Sequence, residues 1–295
     1  MGDITVAICT RDRPGQLRQA LTALTSQSSS DFDILVVDQS SEPDLRLEEM
    51  SREDRRLQIM RDEGRGLSRA RNIAARAAET PWIAFVDDDC LLESDWIEVL
   101  RGVIAEYPET QFITGDVRPG NMPPGDKLAA AARPVHEERL ITGRWTRPYE
   151  LGFGVCMVVR RCSVLALGGW DERLGAGVAD FPASEDLDFN YRLTRSRAVA
   201  LATPRLKATH DQWRSNADTV RLYRGYAAAS AAFPLKHLLT GDVRGGLWLW
   251  TLAAAEIARL LASSIRHRSS LRMRVALAQV VGFIKGTAMA LRRPW

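Results

Sequence analysis

The chain has 295 residues, 45% of them hydrophobic and 26% charged, with 40 Lys+Arg against 37 Asp+Glu and a formal charge of +3. That much apolar material supports a sizeable core and excludes global disorder, and the length suits one large domain or a domain with an appendage. The charge is split: from Arg244 onward nine Lys and Arg face one acid, Glu256, so this end carries +8 and the remainder −5.

No basic, apolar leader comes before Asp3, so a secretory signal is not expected, and Val6 stands where myristoylation prefers Ser or Thr. Residues 4–9, 32–37, 57–60 and 82–86 are short and rich in Val, Ile and aromatics, which predicts strands. Residues 16–26 and 67–78 carry apolar side chains at helical spacing. Strands separated by helices imply right-handed crossovers and a mostly parallel sheet. Further strands are predicted at 111–117, 155–159 and 205–209, and a helix at 186–194. Residues 118–149 break the rhythm, with Pro119, Gly120, Pro123, Pro124 and Gly125 ahead of a short Ala-rich helix candidate; so long a connection is usually functional or mobile. Cys9, Cys90, Cys156 and Cys162 form no Cys-x-x-Cys pair and read as reduced core residues of a cytosolic protein.

The end of the chain holds two apolar segments, 245–255 and 275–284. Each is shorter than the ~18 residues of a clean membrane span. On a helix, Glu256, Arg259, Ser263 and Arg266 would line one narrow stripe, leaving a wide apolar face with Trp248 and Trp250 near its start. A basic turn at 266–274 separates the segments. The pattern suits a helical hairpin on an anionic cytoplasmic leaflet; two helices packed on the body or on another subunit is the alternative.

Chemistry concentrates where strands end. Asp87, Asp88 and Asp89 follow a buried strand and would repel one another without a cation or donors to compensate. Such carboxylates are hard oxygen ligands for Mg²⁺ or Mn²⁺, or else they form a solvated turn and helix cap. The first strand runs into Thr10, Arg11 and a helix start, and the second into Asp38, a combination that suits a nucleotide or phosphate. Arg69 and Arg71 open the helix after Gly64 and Gly66, although an exposed face could use them for solubility alone. In Ser184-Glu-Asp-Leu-Asp-Phe189, Ser184 can cap a helix and the dipole favours the acids. Trp170 could stack on a sugar or fill the core, and His210 could be a structural donor or a ligand.

Taken in order, Val6-Ala-Ile-Cys-Thr-Arg11, Ile34-Leu-Val-Val-Asp38, Gly66-Leu-Ser-Arg-Ala-Arg-Asn72, Phe85-Val-Asp-Asp-Asp89, Gly168-Gly-Trp-Asp-Glu172 and Ser184-Glu-Asp-Leu-Asp188 resemble family 2 of the inverting glycosyltransferases. The resemblance covers roughly residues 4–210. It implies an α/β fold of the GT-A type, a Rossmann-like, mostly parallel central sheet flanked by helices, over residues 1–215; composition and charge add a helical, basic, amphipathic appendage over 216–295. By the same resemblance, Thr10, Arg11, Asp38 and Arg71 surround the base of a nucleoside-diphosphate sugar, with Asp87 and Asp88 also on the donor. Asp89 and His210 hold Mn²⁺ or Mg²⁺, Asp186 is the catalytic base, and Trp170, Asp171 and Glu185 meet the acceptor. The implied reaction moves one sugar, with inversion, to an acceptor hydroxyl on a sugar; the basic end of the chain, by its composition, adds the expectation of a lipid-linked or membrane-proximal acceptor.

His210-Asp-Gln-Trp-Arg214 departs from the Gln-x-x-Arg-Trp of the processive synthases of this family, so a single transfer is expected. Gln39 stands where many relatives carry a second Asp, which leaves base and donor identity open. The expected setting is the cytoplasm, peripheral on the inner face of the cytoplasmic membrane, with no nucleic-acid partner and self-association left open. Two other readings attach to the same residues. A nucleotidyltransferase is disfavoured by the short loop at 10–14, and an inactive nucleotide-sugar or lipid-binding scaffold by the presence of both Asp89 and Asp186.

Overall fold

In the computed structural model, which describes residues 2–42, 44–121, 127–129, 132–267 and 270–295, the alternating pattern of β1 (Ile4–Thr10) sets the layering. Successive strand residues point to opposite faces. Ile4, Val6 and Ile8 enter one apolar cluster with Leu17, Leu21, Leu24, Trp96, Ile97 and Leu100. Ala7 enters another, with Ala70, Ala74, Trp170 and Phe189. Helices therefore cover both faces, and each fully buried Leu or Ile side chain contributes roughly 1.5–3 kcal/mol of transfer free energy.

The chain continues through α1 (Pro14–Thr25), β2 (Asp33–Asp38), α2 (Leu45–Glu53), β3 (Leu57–Arg61), α3 (Leu67–Ala77), β4 (Trp82–Asp87), β5 (Cys90–Leu92) and α4 (Trp96–Glu106). Pro14 opens α1, where a missing N–H costs nothing. The Asp44 carboxylate caps α2 by accepting from the Arg46 N–H. Next come β6 (Phe112–Pro119), β7 (Lys127–Ala129), β8 (Arg139–Ile141), a 3₁₀ turn (Pro148–Leu151), β9 (Cys156–Arg160), α5 (Arg161–Ala166), α6 (Glu185–Arg195), β10 (Ala200–His210) and β11 (Trp213–Ser215). The Ala-rich helix expected after Gly125 falls largely outside the described residues. Of the four cysteines expected in the core, Cys90 and Cys156 are buried and Cys9 is half-buried, but Cys162 is exposed because it lies on the outer side of α5.

The main sheet has the order β3-β2-β1-β4-β9-β6-β10-β5, with β8 added on β10. β3, β2, β1 and β4 are mutually parallel, as is the pair β6 and β10. β9 runs against both β4 and β6, and β5 and β8 run against β10. The expected α/β class with a mostly parallel sheet holds: β3, β2, β1, β4, β6 and β10 share one direction, and β9 is reversed because the long connection after β6 turns the chain before it re-enters between β4 and β6.

Contacts divide the chain into two units. The sheet unit comprises Met1–Met122, Ala129–Trp170 and Phe189–Gln212; the helical unit comprises Pro123–Leu128, Asp171–Asp188 and Trp213–Trp295.

In the helical unit, α7 (Asn216–Leu239) is capped by Ser215, whose hydroxyl accepts from the Asp218 N–H, and α8 (Val243–Arg266) by Asp242, which accepts from the Gly245 N–H. α9 (Ser270–Arg292) follows. The hairpin foreseen at 245–255 and 275–284 is thus present as two longer helices. α9 packs on α7 through small residues four apart. A Cβ on Gly282 would overlap the Arg224 carbonyl oxygen, and one on Gly286 that of Ala228. Only glycine allows so close a backbone approach. Trp250 and Phe283 meet at 5.1 Å beside this seam. The final residues cover the segment ahead of α6: Trp295 stacks on Phe181 at 5.7 Å, and Arg293 pairs with Asp180 at 3.0 Å.

Candidate active site

Parallel pairing brings three strand ends together. Thr10 stands in register with Asp38 on β2, and Cys9 with Asp87 on β4. The carboxyl edge of such strands is where open α/β sheets bind ligands. A cleft of about 340 Å³ opens at this edge, lined by Thr10, Asp12, Pro14, Arg18, Asp38, Ser40, Ser41 and Asp44 among others. The loop beneath it is fixed by Asp12, at φ +55°, whose carboxylate accepts from the Ser41 N–H at 2.8 Å and hydroxyl at 3.0 Å. Asp38 is buried, accepting from the Ser40 N–H at 2.8 Å and from Arg61. Gln39 turns away from the cleft: its amide donates to Asp62 at 2.8 Å and accepts from the Gly66 N–H at 3.0 Å, fixing the start of α3.

The three aspartates after β4 have distinct surroundings. Asp87 has its Oδ1 3.7 Å from Arg71. Burial pushes its carboxyl up to about 7 against the opposing pull of Arg71. Asp88 accepts from the Thr10 hydroxyl at 2.7 Å and from Arg13 at 2.6 Å; burial still raises its carboxyl above the ordinary range. Asp89 accepts from Arg13 at 2.6 Å and from the Gln212 amide at 3.0 Å through Oδ2. Its Oδ1 lies 3.0 Å from His210 Nε2, both side chains being 1% exposed. Burial opposes ionisation of Asp89, but His210 and Arg13 outweigh it and hold the carboxyl far below its usual value.

The meeting of Asp89 with a histidine so distant in sequence has a backbone cause. β5 pairs antiparallel with β10, placing Cys90 opposite His210, and the Asp211 N–H donates to the Asp89 carbonyl at 2.9 Å. Asp89, Cys90 and His210 form the group that could hold a metal ion among the described residues. Burial raises the Cys90 thiol well above its ordinary value, and the residue belongs to the core, so it remains a thiol there. A carboxylate oxygen and an imidazole nitrogen, both buried at the end of an acidic strand, fit a hard or borderline divalent cation.

Several expected contacts take another form. Arg71 is 2% exposed; it donates to the Gly154 carbonyl at 3.0 Å and supports Asp87 rather than lining the cleft. Arg11 is turned to Asp12 at 3.2 Å. Trp170 is 2% exposed, edge-on to Phe85 at 4.9 Å and stacked on Phe189 at 4.5 Å, so its face is core and not a sugar platform. Asn72 clamps it by accepting from the Trp170 N–H at 2.8 Å and donating to its carbonyl at 2.9 Å. Asp171 is committed to Arg173 at 2.8 Å and Lys236 at 2.9 Å; burial opposes its ionisation, yet these cations bring it down to about 2.

The remaining acids open α6, whose first four residues belong to the helical unit. Glu185 is buried, whereas Asp186 is partly exposed and accepts from the Leu187 N–H at 2.7 Å. Burial pushes the Tyr226 phenol up to about 12, and Glu185 and Asp186 reinforce the shift. The residue that sequence reasoning missed is Arg13. Its signal was present, a cation just before the first helix and in the same loop as Thr10, but its fork on Asp88 and Asp89 depends on β1 lying beside β4.

The profile of the family described as Glycosyl transferase family 2 matches residues 5–165. An uncharacterized glycosyltransferase of Haemophilus influenzae is 23% identical over 64% of this chain and 61% of its own length. A pre-mycofactocin glycosyltransferase of Mycobacterium tuberculosis is 23% identical over 99% of this chain and 62% of its own length. The chain thus spans about six tenths of the length of these curated relatives. Among solved structures, the mannosyltransferase PcManGT of Pyrobaculum calidifontis, in complex with GDP-Man and Mn²⁺, superposes with TM-score 0.57 at 16% identity over 98% of this chain and 87% of that one. Residues 1–349 of S. aureus TarS give 0.55 at 17% identity over 99% and 90%.

Proposed function

The chain belongs to glycosyl transferase family 2, and from that premise we propose that it moves one sugar from a nucleoside-diphosphate donor to an acceptor hydroxyl, with inversion and with a divalent metal. The observation that carries this reading is the buried Asp89–His210 pair, 3.0 Å apart beside the cleft at the ends of β1 and β2.

In this reading the base of the nucleotide lies in the cleft lined by Thr10 and Asp38, and Asp87 meets the ribose. Asp89 and His210 would hold Mn²⁺ or Mg²⁺, which supplies positive charge to offset the departing diphosphate. Asp186 takes the proton of the acceptor hydroxyl as that oxygen bonds to the anomeric carbon and the bond to the diphosphate breaks. One displacement from the opposite side inverts the centre and needs no covalent sugar–enzyme intermediate. The solved mannosyltransferase is in complex with GDP-Man and Mn²⁺, which makes guanosine-diphosphate donors the first to try.

The acceptor is read as lipid-linked or membrane-proximal, with the protein on the inner face of the cytoplasmic membrane. Support comes from α9: Leu277, Val281, Ile284 and Leu291 are exposed, and Ala288 completes their heptad spacing. The helix carries Arg272, Arg274, Lys285 and Arg292 and no acid. An apolar stripe flanked only by cations complements an anionic leaflet and would repel a second copy of itself.

A thermal-shift panel of UDP-, GDP-, dTDP- and CDP-sugars with and without Mn²⁺ tests the donor. Stabilisation follows ligand concentration over Kd, so one family of donors is expected to raise the melting temperature only when Mn²⁺ is present. Equal shifts without the metal would remove the metal assignment.

A further inference from the structure

Asp171, Asp188, Lys236 and His237 form a cluster that the proposed transfer does not use. Asp188 is completely buried, and Lys236 and His237 are 7% and 8% exposed. Lys236 Nζ lies 2.5 Å from Asp188 Oδ1 and donates to Asp171 Oδ2 at 2.9 Å. His237 Nε2 lies 2.8 Å from the same Asp188 oxygen. Arg173 completes the cluster with two bonds to Asp171, at 2.9 and 2.8 Å. All five residues belong to the helical unit.

Buried ion pairs seldom add net stability, because desolvation offsets the attraction; what they do enforce is geometry. Here they fix the first turn of α6. Asp188 follows Asp186 by two residues, so the two side chains leave the helix roughly 200° apart around its axis. The cluster therefore grips the back of the turn and leaves the opposite side to Asp186. This turn needs a grip. It starts from Ser184 at φ +67°, a left-handed conformation unusual for a residue with a Cβ, and the Ser184 carbonyl accepts the Asp188 N–H at 2.9 Å. The first N–H groups of any helix lack partners within it, which makes this the end that frays.

We propose that Lys236 and His237 of α7 are positioning residues that hold Asp186 in place through Asp188. The proposal rests on the reading of Asp186 as the base. Two adjacent residues of α7 converge on one oxygen, which sets both the rotation and the height of the first turn of α6, residues 185–188. Because Lys236 also binds Asp171, the loop at 171–173 is tied to the same point. α7 is then part of the catalytic apparatus and not only the root of the tail.

Lys236→Met is expected to lower kcat roughly ten- to hundred-fold while donor KM stays within about twofold, the cost of a reacting group displaced by about 1 Å. Lys236→Arg, which keeps a cation, is expected to restore most of the rate. Hydrogen exchange at the amides of residues 185–188 is expected to quicken about tenfold or more, with the amides of β1 and β4 unchanged. The double variant Asp188→Asn/Lys236→Met leaves no unpaired charge at position 188 and keeps Arg173 on Asp171, so it is expected to fold, with an unchanged circular-dichroism spectrum as the check, and its kcat is expected to fall as far. A double variant with wild-type kcat overturns the proposal, as does a loss that appears in donor KM rather than kcat. Asp186→Asn, run in parallel, separates the two claims. If it retains transfer, the base assignment fails; if it is inactive while the double variant is fully active, only the positioning fails.

Discussion

Arg13 sits with one guanidinium nitrogen on Asp88 and another on Asp89, both at 2.6 Å. Removing it leaves neighbouring buried carboxylates to repel each other. Arg13→Met is expected to cost about 1–3 kcal/mol, less than a fully buried pair because its side chain is 36% exposed. Mn²⁺ can replace the missing charge, so the metal-induced rise in melting temperature is expected to be larger in this variant than in the wild type. Asp89→Ala removes a proposed metal ligand instead, and under that proposal calorimetry is expected to show no Mn²⁺-dependent donor binding. Asp87 makes the pH prediction. Its folded carboxyl is raised to about 7, so the unfolded chain gives up this proton first, and the penalty for ionising it when folded builds from about pH 4 and is complete above about pH 7. Asp87→Asn is therefore expected to raise the melting temperature at about pH 8 and to change little at about pH 4. The acidic triplet was legible from sequence because three carboxylates after an apolar strand have few explanations. The different fates of its members were not legible, since Arg13, Arg71 and His210 arrive from three other elements.

At the scale of elements, β1 to β4 and α3 could be read from alternation and helical spacing, because each carries its signal locally. α2 escaped because it buries only Leu47, leaving almost no apolar stripe to detect. β9 read as a strand, but its direction did not follow, since pairing is decided by where the connection before it re-enters the sheet. The seam between α7 and α9 was hidden for another reason: glycines in an apolar helix signal nothing until a partner backbone is close. Gly282→Ala and Gly286→Ala would drive a methyl group into carbonyl oxygens of α7. Each is expected to destabilise the helical unit by about 1–3 kcal/mol or more, seen as a lower melting temperature. An alanine at Gly241, with no neighbour within 4 Å but φ +111°, would instead test backbone strain alone.

For the whole molecule, the uneven charge noted in the sequence acquires a location on a helix. α9 has the length and composition of a membrane span, yet its glycine face is turned to α7, which leaves the opposite stripe for a surface. Val281→Asp with Ile284→Asp alters only exposed positions and, under the proposed membrane docking, is expected to abolish co-sedimentation with phosphatidylserine vesicles at an unchanged melting temperature. The same proposed docking predicts that high salt weakens vesicle binding by the wild type, because such an attraction would be partly electrostatic.

The contacts of Trp295 with Phe181 and of Arg293 with Asp180 also fix an order of events during synthesis. Asp180 and Arg293 are 113 residues apart, so a ribosome adding about 5–20 residues per second needs about 6–23 s to supply the second after the first. Through that interval the stretch leading to Asp186 lacks its cover, while β1 to β4 already have the sequence they need to pair. A nascent chain can thus assemble its sheet well before it can settle the helix start that carries Asp186.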